Sequence, residues 1–168
     1  MQISLNYRFL ILLAVILAIA ALFINGTLFA LFWLSHDEIP LWGQQSIAIH
    51  LFAYSLATGF ILGWIATRAT RWALRNGKVL PLHWHLKSQT LIDRLPSKTF
   101  NRAFMFALAG VSIASIMVLL LDLLQLYYIP YADFQLLSSV FSICFSAAIT
   151  IMAVYRGLGD KIMRHSKV

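Results

Sequence analysis

Four stretches of this chain are apolar for longer than the interior of a small soluble domain requires. A helix rises about 1.5 Å per residue and bilayer hydrocarbon is about 30 Å thick, so a crossing takes about 20 apolar residues. Phe9–Ser35 and Phe134–Tyr155 carry no charge, Ser46–Thr67 carries only His50, and Ala103–Leu126 carries only Asp122, near its end. The spans are accordingly set at about 9–34, 46–67, 103–126 and 134–155. All four are expected as helices, because an open strand edge would leave backbone groups unpaired in lipid. Composition agrees: 61% of residues are hydrophobic and 11% charged, against about 45–50% and about 25% in soluble domains. That excludes a soluble globular protein, a disordered tail and a nucleic-acid binder driven by charge. The expected fold class is an all-α integral membrane protein with four transmembrane helices as two antiparallel hairpins. The 168 residues form a single membrane domain, 1–168.

The first span is not read as a signal peptide. Ala18-Ile19-Ala20 offers small residues for cleavage, but the apolar run continues through Trp33, well beyond the 7–15 residues of a signal core. The single cysteine, Cys144, permits no intramolecular disulfide and reads as a small apolar residue in a helix.

The net charge of +7 is explained by topology. Arg8 precedes span 1, eight basic residues from Arg68 to Arg102 lie between spans 2 and 3, and Arg156, Lys161, Arg164 and Lys167 follow span 4. These are all 13 basic residues, on one side. Asp37, Glu38 and Asp133 lie on the other side. The positive-inside rule then places both termini and the 68–102 loop in the cytoplasm, against anionic head groups. Trp33, Trp42, Tyr127, Tyr128 and Tyr131 would form an outer aromatic belt, and Tyr7, Trp64, Trp72 and Tyr155 an inner one. The compact chain without extramembrane domains suggests a bacterial inner membrane.

The two halves share landmarks. Asn6 and Phe9 match Asn101 and Phe104, Ile39-Pro40 matches Ile129-Pro130, and Arg68 matches Arg156. The spacing differs: Pro40 is 31 residues on from Phe9, Pro130 only 26 on from Phe104. A weak tandem repeat of a helical hairpin would account for this; so would the general likeness of membrane hairpins.

In lipid, small residues that let helices approach become informative. Span 2 has Ser55, Gly59, Gly63 and Thr67 four apart, and span 4 has Ser138, Ser142, Ser146 and Thr150. Residues four apart share a helix face. Helix packing within the chain is the expected use of both stripes; a homodimer contact through Gly59 and Gly63, or a wet path along the serines, are the alternatives. Three polar residues share a depth: Asn25 lies roughly 24 Å and Asp122 roughly 28 Å above the inner boundary, and His50 about one turn below the outer one. They form a candidate polar site, in which Asp122 meets His50 or both are solvated from outside.

The rest of the chemistry is sparse. There is one intramembrane histidine, no Cys-x-x-Cys, no nucleophile elbow and no phosphate-binding glycine loop. His83-Trp84-His85 lacks a third ligand. No catalytic residue, cofactor or metal is expected, and no nucleic-acid partner. In the loop, Arg68, Arg71 and Arg75 continue the second helix to a stop at Asn76-Gly77. Pro81–Leu95 reads as a short amphipathic helix lying on the inner leaflet or docking a partner. The functional expectation is a small non-enzymatic subunit or accessory factor, with a homo-oligomer or another membrane protein as partner. The alternative is a minimal oligomeric transporter or channel with a polar site near Asp122 and His50.

Overall fold

The computed structural model describes residues 2–33, 38–81 and 95–160. Four long helices make up the architecture: α1 (Gln2–Trp33), α2 (Ile47–Arg75), α3 (Thr99–Leu123) and α4 (Tyr131–Leu158). Each is long and apolar enough to cross a membrane. Two three-residue strands, β1 (Glu38–Pro40) and β2 (Tyr128–Pro130), lie in the turns. Asp37, the His83-Trp84-His85 tract and most of the expected 81–95 helix lie outside the described residues.

Local chemistry sets the helix ends. α2 starts at Ser46, whose Oγ accepts a hydrogen bond from the Ile49 amide at 3.3 Å, satisfying one orphan donor of the first turn. It runs eight residues past Thr67 to Arg75 and closes with Gly77 at φ 66° and a Lys78 amide donating to Ala73 O at 2.9 Å. α3 closes the same way: the Leu126 amide reaches Leu121 O at 3.1 Å, but the left-handed position is held by Gln125 at φ 56°. Glycine is the usual residue at that position because a Cβ is strained there.

α2 and α4 lie side by side in the middle of the bundle. α3 packs on α2 and α1 on α4. The main interfaces therefore join helices that do not follow one another on the α1 side, and α1 touches α2 only slightly. The two hairpins expected from the sequence follow chain order, α1 with α2 and α3 with α4; the tightest packing is between α2 and α3, where small residues let the two backbones meet. Of the most apolar stretch, 56% of residues are buried in α2 and 50% in α4, but only 22% in α1 and 28% in α3. The outer pair presents large side chains outward, among them Leu12, Phe23, Leu31, Ile116 and Leu119.

At one end of the bundle, β1 and β2 pair antiparallel, with Ile39 opposite Ile129 and Pro40 opposite Tyr128. The Leu41 amide extends the ladder to Tyr127 O at 2.8 Å. Ile39, Leu41 and Ile129 are buried beneath it and close the core. This strand pair was not expected, although the Ile-Pro dipeptides that build it were visible as matching landmarks.

Candidate functional site

Near the strand end, three helices contribute to one buried polar chain. Asn25 of α1, His50 of α2 and Ser138 of α4 are all nearly inaccessible. His50 Nε2 and Asn25 Oδ1 are 3.0 Å apart, Asn25 Nδ2 donates to Ser138 Oγ at 3.0 Å, and Ser138 Oγ donates to Gln135 O at 3.1 Å. The Nε2–H tautomer of the imidazole would donate to this amide oxygen. Rings enclose the imidazole: Trp33 at 5.0 Å, Phe29 at 5.2 Å and Phe134 at 5.6 Å between centroids, with Tyr54 parallel at 6.0 Å. Tyr54 Oη in turn donates to Ala21 O at 3.2 Å. A buried polar group is costly unless bonded, and here the chain of bonds ends on helix carbonyls.

Asp122 does not join this cluster. Its Oδ1 accepts from Trp42 Nε1 at 3.0 Å in an exposed contact at the turn. Of the two readings, contact between Asp122 and His50 is not what the structure shows; Asp122 is exposed, as the outer-interface reading has it, whereas His50 is buried. Shared depth fixes only height; α3 lies on the flank of α2, whereas His50 faces α1 and α4.

The small-residue stripe of α2 packs inside the chain. A Cβ on Gly59 would sit 2.8 Å from Ala107 Cα and 3.0 Å from Phe106 O, and one on Gly63 would meet Phe106 Cδ2 at 2.7 Å and Ala103 Cα at 3.4 Å. Across from Ser55, a Cβ on Gly110 would reach Ser55 O at 3.0 Å and collide with the Phe145 ring. The order Ser55, Gly59, Gly63 thus runs against Gly110, Ala107, Ala103. This face is occupied by α3, which removes the homodimer reading of Gly59 and Gly63. The stripe on α4 is also internal: Ser138, Ser142, Ser146 and Thr150 are all buried. Ser142 Oγ donates to Ser138 O at 2.6 Å, Ser146 Oγ to Ile143 O at 3.0 Å and Thr150 Oγ1 to Ser146 O at 2.7 Å. These hydroxyls are satisfied by their own helix. Ser55 Oγ and Thr67 Oγ1 are buried without a partner among the described residues.

The opposite end holds a cluster that the sequence did not reveal. Asp160, just past α4, accepts from three arginines on three helices. Arg71 of α2 reaches Oδ2 through Nε at 2.8 Å and Nη2 at 2.6 Å. Arg102 of α3 reaches Oδ1 through Nη2 at 2.9 Å, and Arg156 of α4 reaches the same oxygen through Nη1 at 3.1 Å. The guanidiniums also hold the segment that leads into α3: Arg156 Nε donates to Leu95 O at 2.9 Å, Arg102 Nε to Pro96 O at 3.0 Å, and Arg71 to Ser97 O and to Oγ1 of Thr99, the first residue of α3, at 2.6 Å. Arg102 is wholly buried. Its Nη1 has no partner among the described residues. One carboxylate thus faces three cations. The sequence signal is the run of arginines, whose side of the chain the positive-inside rule accounts for without pointing to Asp160.

Among the described residues, no three His, Cys, Asp or Glu side chains come together to hold a metal ion. Comparison of the chain with protein-family models, with curated proteins and with solved structures finds no match.

Proposed function

We propose that this chain is a multi-pass protein of a bacterial inner membrane, built as two hairpins related by a weak tandem repeat. Its termini face the cytoplasm, and it works without a reaction of its own, as a subunit or accessory factor acting through contacts in the bilayer. One observation carries the reading. The interior polar groups of α2 and α4 are largely consumed by internal bonds, while α1 and α3 turn long apolar faces outward. The protein's largest free asset is therefore lateral surface. The repeat is supported by the strand register, since a two-fold relation between halves places Ile39 opposite its own counterpart Ile129.

Photo-crosslinking from Leu31 on α1 and Leu119 on α3, in native membranes, tests the partner. A discrete protein adduct from either position is expected; lipid adducts alone from both would overturn it. Orientation is tested in a Cys144→Ala background. A cysteine at Asp133 should react with an impermeant thiol reagent applied from outside, and one at Lys78 should not.

A second reading, a minimal oligomeric transporter or channel, is favoured by the His50–Asn25–Ser138 chain, since buried polar groups within a span mark pathways in many transporters. Proton or cation flux in proteoliposomes that disappears in His50→Ala would establish it in place of the first.

A further inference from the structure

Among the described residues, the Asp160 cluster carries more positive charge than it neutralises. Arg71, Arg102 and Arg156 bring three fixed charges and Asp160 returns one. Arg71 and Arg156 keep 24% and 14% of their side-chain surface exposed, so the cluster opens outward at two of its three arginines. Arg102 is buried to 0%, and its Nη1 has no partner among the described residues. A guanidinium presents five donors in a planar fork. Leaving one nitrogen of a buried fork unbonded costs more than an ordinary lost hydrogen bond. α3 also begins at Lys98 without a side-chain cap and without an acidic residue in its first turn, so its orphan amides add partial positive charge at this end.

We propose that this cluster is a binding site for a phosphate oxyanion at the basic end of the bundle, with the phosphodiester of an anionic phospholipid as its natural source. The chemistry fits. Phosphate oxygens accept paired N–H donors from arginine forks, and a singly charged head group would offset half of the excess charge. The placement rests on the membrane reading above, which sets this end at the level of the inner head groups. The site differs from a general basic surface because three arginines from α2, α3 and α4 share one carboxylate. An anion bound there would fasten the three helices together.

The test uses full-length protein in a neutral maltoside detergent, with thermal unfolding read against added short-chain phosphatidylglycerol, phosphatidylcholine or inorganic phosphate at matched ionic strength. Phosphatidylglycerol at about a hundredfold excess over Kd should raise Tm by several degrees, and phosphatidylcholine should not. Arg156→Gln, at the open edge, should lose most of that shift. Asp160→Asn should melt lower without lipid yet gain a larger shift, because the competing carboxylate charge is gone. A response to inorganic phosphate equal to that of the lipid would support the oxyanion site and assign its occupant to free phosphate. Equal shifts with both lipids, or an undiminished phosphatidylglycerol shift in Arg156→Gln, would overturn the proposal. Carbonate extraction of the same membranes separates the two claims: a protein released by alkali refutes membrane insertion whatever the melting curves show.

Discussion

The bundle is tied at each end by a buried polar cluster, and the two clusters are built from opposite chemistry. At the strand end the ties are neutral: an imidazole, an amide and a hydroxyl, sealed by Phe29, Trp33, Tyr54 and Phe134. At the basic end they are ionic, three guanidiniums on one carboxylate with two of the arginines partly exposed. The environment accounts for the difference. A charge within a packed aromatic core has no water to solvate it and few donors to pair with, so neutral groups serve. Close to the surface, charged groups can be used and their greater bond strength exploited. Both clusters recruit α2 and α4; the first adds α1, the second adds α3. Each outer helix is thus fastened to the central pair at the end opposite to the other.

Four sets of substitutions test this contrast and the packing between the two ends. Asp160→Ala should be the most damaging, because it leaves three arginines facing one another with Arg102 wholly buried. Removing one member of a buried ionic group typically costs about 3–5 kcal/mol, and unfolding in detergent should show a loss of that order. A wild-type melting curve would mean the clamp contributes nothing. Next come the glycines of α2. Gly59→Ala would force a methyl group against the backbone of Ala107, which cannot move aside alone, whereas Gly63→Ala meets the Phe106 ring, which can turn. Overpacking costs about 1–3 kcal/mol, with Gly59→Ala at the high end and Gly63→Ala below it. The reverse order in thermal melts would mean the α2–α3 contact has been placed wrongly.

A double-mutant cycle addresses the neutral cluster. His50→Ala and Asn25→Ala should couple by about 0.5–3 kcal/mol, while His50→Ala and Asp122→Asn should add within about 0.3–0.5 kcal/mol. Coupling of His50 to Asp122 instead would restore the pairing that the structure separates. The smallest effect is expected at the end of α3. Gln125→Gly relieves a left-handed residue at φ 56°, the position that Gly77 fills at the end of α2. Stability should rise by about 0.5–1 kcal/mol in chemical unfolding, set by the cost that a Cβ incurs in that conformation.

Much of this was legible in the residues. The four helices could be placed because crossing a bilayer demands long uncharged runs, and the extension of α2 to Arg75 because Asn76-Gly77 stops a helix. The Ser55, Gly59, Gly63 stripe was legible as an interface because spacing by four fixes a face. Its partner was not legible, since small residues occur on every helix. Whether Asp122 meets His50 was not legible, because rise per residue gives height and says nothing of the direction a helix faces in the bundle. The Asp160 clamp was hidden for another reason. Asp160 stands beyond the fourth span in a basic tail, 58 residues from Arg102 and 89 from Arg71, and no local pattern links such distant groups. The positive-inside rule bears on the side to which arginines fall and says nothing of which of them turn inward.

The strand pair has a consequence for synthesis. β1 leaves the ribosome long before β2, and α1 before α4, its chief partner. Translation from Trp33 to Tyr131 takes roughly 5–20 s at about 5–20 residues per second. During that interval the first helix has almost none of its final neighbours, and Asn25 has no Ser138 to bond. The nascent first half therefore lacks most of its final helix contacts until α4 is made. Assembly completes only when the last helix arrives, and a chain truncated before Ser138 leaves Asn25 without its hydroxyl partner.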